Sequence, residues 1–146
     1  MTSPADADHE QTLRAAGLRV TQQRVAVLDA VRRLPHADTE SLIQQVRRQG
    51  GDISHQAVYD VLKVLTDASI VRRIQPLGSV ARYEGRVADN HHHVVCRGCG
   101  AIADVDCAVG EVPCLTASDS NGFVIDEAEV IYWGRCPDCA PASSHQ

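Results

Sequence analysis

Aromatic residues are scarce in this chain: one Phe, one Trp and three Tyr make up 3% of its 146 residues. A core must therefore be built from Val, Leu, Ile and Ala. Long apolar runs are missing as well. None approaches the roughly 20 residues of a membrane span, so no membrane partner is expected. Met1 to Glu10 is acidic and polar and has no apolar core of a signal peptide, which leads us to expect a cytoplasmic protein. Cysteine is absent from the first 95 residues, and all six cysteines follow. In a chain read as non-secreted, such a cluster points to metal ligands or redox groups and not to a disulfide scaffold. Apolar residues at 44% permit a real core, and the length suits one ordinary domain or two small ones.

An overall excess of positive charge is also lacking, since the net charge is −5. The distribution reverses the first impression. Residues 11–88 hold 12 Lys and Arg against 7 Asp and Glu, while residues 89–146 hold 2 against 9. A basic half beside an acidic half is compatible with the first meeting phosphate, although ordinary surface scatter produces the same asymmetry. The compositions change near Arg86–Asn90, which divides the chain into 1–86 and 87–146.

The first half reads as helices followed by a hairpin. Leu13 and Ala16 share one face of a short segment that Gly17 can stop. Thr21 caps a helix running to about Leu34, with Pro35 beyond it. Asp38 or Thr39 caps a third helix that ends at Gly50-Gly51. Ser54 caps a fourth, in which Val58, Val61, Leu62 and Leu65 form a buried stripe at i, i+3, i+4, i+7. Ile70–Gln75 and Val80–Glu84 flank Pro76-Leu77-Gly78-Ser79 and read as a β-hairpin. Helices followed by a hairpin make a winged helix-turn-helix, whose last helix enters the major groove. On that helix Gln56, Tyr59 and Lys63 form a stripe roughly opposite the buried one, suited to base edges and phosphate. A solvated helix face is the bland alternative.

The second half reads as β-rich. His92–Val95 and Ala101–Val105 surround a knuckle, Val124–Ile131 is a further strand ahead of Tyr132-Trp133, and Glu111–Ser120 is a weakly patterned helix. Cys96-x-x-Cys99 and Cys136-x-x-Cys139 form the strongest signal in the chain. Two such pairs complete a tetrahedral shell of four thiolates, the arrangement of structural Zn2+, with Gly98, Gly100 and Gly134 loosening the backbone around it. The 36 residues between the pairs exceed usual zinc-ribbon spacing, so the second pair returns from the C-terminal end. Two separate dithiols are the other reading. On a strand, His91 and His93 face one side and His92 the other. Asp104 on the next strand, Glu84 at the wing end and His36 after the second helix can complete a mixed shell suited to Fe2+, Mn2+ or Zn2+. His9, His55 and His145 read as surface residues.

These residues together resemble the ferric uptake regulator family of bacterial metal-dependent repressors. The motifs are Gly17-Leu18-Arg19-Val20-Thr21-Gln22-Gln23-Arg24, Pro35-His36-Ala37-Asp38, Ala57-Val58-Tyr59-Asp60-Val61-Leu62, Ala81-Arg82-Tyr83-Glu84, His91-His92-His93-Val94-Val95-Cys96 and the two C-x-x-C pairs. They cover about Gln11 to Ala140. The segment from Asp104 to Leu115 is similar to the actinobacterial, catalase-associated branch. The resemblance implies an α+β fold: a winged-helix DNA-binding domain in 1–86, and an α/β dimerisation and metal-binding domain with a four-cysteine zinc site in 87–146. It implies a homodimer on double-stranded operator DNA, acting as a repressor of catalase-peroxidase expression that responds to peroxide.

The resemblance places the regulatory Fe2+ or Mn2+ on His36, Glu84, His91, His93 and Asp104. Iron-sensing members tend to have Glu at the position of Asp104 and peroxide sensors Asp, but peroxide sensors often also have Asp where Glu84 stands. An iron-responsive repressor of uptake genes is therefore the alternative. A further family metal site falls on Asn90, His92, Glu111 and Ala128. Asn90 and Ala128 are poor or impossible ligands, which leaves His92 and Glu111. Arg19 matches a minor-groove basic residue and Tyr59 a DNA-contacting tyrosine, while Asp60 replaces a common Arg. Cys107 and Cys114 read as buried small hydrophobes or as the thiols of a redox regulator. An enzyme is not expected: H-E-x-x-H and nucleophile motifs are missing, a closed four-thiolate site leaves no open zinc position, and the C-x-x-C pairs lack a βαβ context.

Overall fold

A computed structural model describes residues 3–87, 91–106 and 117–140. The chain forms two compact units, Met1–Val87 and Ala88–Gln146.

The first unit runs α1 (Pro4–Ala15), α2 (Gln22–Arg33), β1 (Ala37–Asp38), α3 (Thr39–Arg48), α4 (His55–Asp67), β2 (Arg72–Ile74) and β3 (Arg82–Glu84). Thr21, Asp38 and Ser54 cap α2, α3 and α4 as their hydrogen-bonding side chains dictate: each accepts from the backbone N–H three residues on. Leu13, Leu28, Val31, Leu42, Val58 and Leu65 are fully buried and close the core between the four helices. The hairpin strands pair antiparallel, and β1 joins β3 on its other edge, so the sheet order is β1-β3-β2. This is a winged helix, with α4 as its last helix before the wing. The wing strands are shorter than the sequence suggests. Ile70 and Val71 are buried in the helical core instead of extending β2, and Val80 is exposed beside the turn.

One expectation for this unit needs correction, and two of its features carry no sequence expectation. The two-residue strand β1 carries too little pattern to be read in advance. The acidic tip is helical, because Ser3 and Asp6 form a reciprocal capping box and Pro4 occupies the first turn. His9 is buried, not a surface residue. Arg32 of α2 can only donate, so its bond to His9 Nδ1 at 2.9 Å leaves the ring proton on Nε2, which donates to Asp29 at 2.9 Å. Burial works against the Asp29 charge, but the His9 and Arg33 hydrogen bonds outweigh it and hold the carboxyl below its usual range.

Asp38 provides a test of the capping argument. The backbone and hydroxyl of Ser41 bond its carboxyl and hold it below the usual aspartate value of 3.8. A depressed folded-state pKa contributes stability above the unfolded value and loses it as pH falls through the folded value. Asp38→Ala is expected to destabilise the protein by about 1 kcal/mol at neutral pH. In urea melts this difference should shrink below pH 3.8; a gap that stays constant into acid would show that the charge is not what caps α3.

The second unit holds β4 (His91–Cys96), β5 (Ile102–Asp106) and β6 (Ile131–Gly134), in the order β5-β4-β6. β5 runs antiparallel to β4 and β6 parallel to it. The expected strand over Val124–Ile131 is displaced. Val124 is 97% exposed, and only from Ile131 does the chain find β4 as a partner, so the strand contains Tyr132 and Trp133. Of the expected helix at Glu111–Ser120, residues 117–120 are not helical, and the rest lies outside the described residues, as do Cys107 and Cys114.

Candidate metal centres and nucleic-acid face

The knuckle between β4 and β5 brings Cys96 and Cys99 together, and the turn after β6 brings in Cys136 and Cys139. Because β6 lies parallel to β4, with Gly134 opposite Cys96, the second pair arrives at the same end of the sheet as the first. The four thiols lie within 4.8 Å of one another, with Cys99 and Cys136 Sγ 3.7 Å apart. The backbone N–H groups of Gly98 and Cys136 both donate to Cys96 Sγ at 3.3 Å. Backbone donors, that of Cys136 foremost, draw the Cys96 thiol down to about 6, while bonding to Cys136, Cys96 and Cys99 pushes Cys139 up to about 12. A Cβ on residue 98 would stand 3.1 Å from Cys139 Sγ. Glycine there lets the knuckle wrap closely around the thiols. Four convergent sulfurs with amide donors behind them fit a tetrahedral soft-ligand ion, and zinc foremost.

The mixed donors divide between the units. In the first, His36 sits at φ 63°, an uncommon conformation that histidine tolerates better than most residues. It is held there by its N–H donating to Tyr83 O at 3.0 Å and its carbonyl accepting from Arg82 at 3.1 Å. Its Nε2 lies 3.1 Å from Glu84 Oε2, and the Glu84 side chain is 2% exposed. In the second unit the register places His93 opposite Asp104 and His91 opposite Asp106. Asp104 Oδ1 stands 3.7 Å from His91 Nε2 and 3.5 Å from His93 Nε2. The two buried rings meet edge to face at 4.9 Å. Each unit thus gathers imidazole with carboxylate, the donor chemistry of Fe2+ and Mn2+. His92 does not join its neighbours: its Nδ1 accepts from the backbone of Val130 at 3.3 Å. Glu111, its suggested co-ligand, lies outside the described residues.

On α4, Gln56, Tyr59 and Lys63 are exposed on the side away from the buried stripe. A groove of about 790 Å³ runs between this face and the wing residues Arg73 and Gln75. Gln56 donates to Asp60 at 2.9 Å and Lys63 to Asp67 at 2.8 Å; the Asp67 bond holds the Lys63 ammonium above its usual range. Arg19 is exposed in the α1–α2 loop, its carbonyl accepting from Arg24 at 2.8 Å. The partner acids Asp60 and Asp67 lie outside the stripe read from the sequence, although their i+4 spacing from Gln56 and Lys63 announces them.

The sequence model of the ferric uptake regulator family matches residues 15–132. Transcriptional regulator FurA of Mycobacterium tuberculosis is 69% identical over 133 residues, covering 91% of this chain and 90% of the relative. Ferric uptake regulation protein 2 of Mycolicibacterium fortuitum is 64% identical, covering 94% of this chain and 97% of the relative. Among solved structures, the Vibrio cholerae ferric uptake regulator matches with a TM-score of 0.65 at 25% identity, covering 87% of this chain and 98% of that one.

Proposed function

The chain belongs to the ferric uptake regulator family and is a metal-dependent transcriptional regulator, not an enzyme; on that premise we propose that it is a peroxide-responsive repressor of catalase-peroxidase expression. Zn2+ would be held by Cys96, Cys99, Cys136 and Cys139. The regulatory Fe2+ or Mn2+ would be held by His36, Glu84, His91, His93 and Asp104. The single observation behind the peroxide reading is Asp104, whose carboxylate stands within 3.7 Å of two buried imidazoles. The resemblance implies that peroxide sensors tend to have aspartate at this position, although they often also have aspartate where Glu84 stands. Ferrous ion held there would activate peroxide, one of whose oxygens would be added to an imidazole while the other leaves as water, and the family resemblance points to His36 or His91 as the ring oxidised. Losing an imidazole as a ligand would release the operator.

Mass spectrometry tests this. Peroxide is expected to add one oxygen to a peptide containing His36 or His91 when Fe2+ is present and not when Mn2+ replaces it. Disulfide formation at Cys107 and Cys114 with the same release from DNA, and no histidine oxidation, would move the sensor to the thiols. Release controlled by iron level alone, without oxidation, would make it the iron-responsive repressor.

The DNA face would consist of Arg19, Gln56, Tyr59 and Lys63. Arg19→Ala is expected to weaken operator binding and lower the slope of log K against log salt by about 0.9, the share of one phosphate contact. Tyr59→Ala should reduce discrimination between operator and random duplex. Anisotropy titrations at several salt concentrations check both, and unchanged binding in both variants would put the DNA on another surface.

A homodimer is supported by apolar exposure in the second unit. Tyr132 and Trp133 on β6 are 51% and 39% exposed, on the edge of the described sheet. They project to opposite faces of that edge strand, and Phe123 and Val124 are also exposed; apolar exposure of this extent supports an interaction surface, here for a second copy. Among the described residues no helix is long and apolar enough to cross a membrane, and we place the protein in the cytoplasm.

A further inference from the structure

The outward face of α4 is acidic for a surface that is to lie in a DNA groove. Lys63 is its one cation, and its ammonium is bonded to Asp67 at 2.8 Å. Asp60, one residue after Tyr59, is exposed, and the helix bonds it through the neutral Gln56 amide and not through a cation. Phosphates on both walls of the groove repel such a carboxylate, so its presence there is favourable only if the groove floor offers it a donor.

Major-groove base edges offer amino donors at cytosine N4 and adenine N6. Guanine N7 and O6 and thymine O4 are acceptors, which repel a carboxylate. Adenine sets its own N7 acceptor beside the N6 amine, whereas cytosine presents its amine with no acceptor on that edge. A lone carboxylate therefore discriminates for cytosine. Orientation is the second requirement. Gln56 lies one turn before Asp60 on the same face, and its Nε2–H donates to Asp60 Oδ1 at 2.9 Å. That bond engages Oδ1 and leaves Oδ2 of the exposed side chain as the oxygen to meet a base.

We propose that Asp60 is a specificity-determining residue: its carboxylate, held by the Gln56 amide, accepts a hydrogen bond from a cytosine 4-amino group in each operator half-site. The inference rests on the reading of α4 as the helix that enters the major groove. The occupied Gln56 amide hydrogen also assigns Gln56 a positioning role beside any base contact of its own.

Selection from a random duplex library with full-length dimer carrying zinc and Mn2+ tests the proposal. Wild type is expected to enrich sites with cytosine at one fixed position per half-site. Replacing that C·G pair by T·A should weaken wild-type binding on the order of tenfold, and Asp60→Ala by contrast should bind both duplexes alike. Substituting 2-pyrimidinone, cytosine without its 4-amino group, should weaken wild type equally and leave Asp60→Ala unaffected. Asp60→Glu should retain part of the preference, which separates loss of the carboxylate from a damaged helix. Two results would overturn the proposal: Asp60→Ala enriching the same cytosine, or Asp60→Ala gaining affinity for every duplex with a steeper salt dependence, the mark of plain phosphate repulsion. If wild type instead enriches no site and Tyr59→Ala changes nothing, α4 is not the reader, and the DNA face itself is misassigned.

Discussion

Cys96→Ser is expected to release the zinc and unfold the C-terminal unit. Among the described residues of that unit, only Val95 and Cys96 are buried apolar side chains, and the remaining buried groups are His91, His92 and His93. A three-stranded sheet with so small a core is not stable by itself. Structural zinc contributes on the order of 10 kcal/mol of folding free energy in small domains, which is the scale needed. Cys96 would be the critical ligand because it is the buried one, and the amides of Gly98 and Cys136 converge on its sulfur. Serine would offer a poor oxygen ligand and leave those amides misplaced. Zinc analysis of the purified variant should give well under one equivalent per chain, and sedimentation should show loss of the dimer. Gly98→Ala is expected to act in the same direction but more weakly, since its new methyl would press on Cys139 Sγ at 3.1 Å. A Cys96→Ser protein that keeps its zinc and its dimer would remove the four-cysteine assignment.

The parts of this protein legible from sequence are those with local grammar. The caps at Thr21, Asp38 and Ser54 are visible because a short polar side chain before an apolar stripe has one good use there. The thiol cluster is visible because C-x-x-C encodes its geometry locally. What stays hidden depends on partners distant in the chain. His9 reads as a tail residue because the acceptor and donor that bury it, Asp29 and Arg32, lie 20 and 23 residues away. The last strand reads too early because Val124–Val130 has β-branched residues enough, but strand pairing needs a neighbour, and the ladder with β4 begins only at Ile131. The pairing of Asp104 with His93 is legible because a tight knuckle fixes the register of the two strands it joins. His36 and Glu84 are 48 residues apart, and no local pattern links them; they come together only through their places after the second helix and at the wing end, and through the family resemblance.

Removing the regulatory metal is expected to abolish high-affinity operator binding, and Mn2+ to restore it. The proposed shell draws His36 and Glu84 from the winged-helix unit and His91, His93 and Asp104 from the C-terminal unit. Filling it would couple metal loading to the orientation of the two reading helices in a dimer. A ligand shifts such an equilibrium only by its differential affinity for the two states, and couplings of this kind typically amount to about 5–150-fold. Operator affinity of the zinc-loaded dimer should therefore rise by about that factor on adding Mn2+. His93→Ala is the decisive variant. Its ring is fully buried and its Nε2 stands 3.5 Å from Asp104, while the cysteines gather at the C-terminal end of β4, where Cys96 is the last residue. The variant should keep one zinc per chain and remain dimeric, yet bind operator at the apo level with or without Mn2+. Asp104→Glu keeps the charge with a longer reach and should retain Mn2+-dependent binding while lowering the yield of oxidised histidine after peroxide. Anisotropy titrations with metal analysis of each sample measure all of this. Full Mn2+ response in His93→Ala would show that the His93 imidazole is not a ligand and that the switch does not run through it.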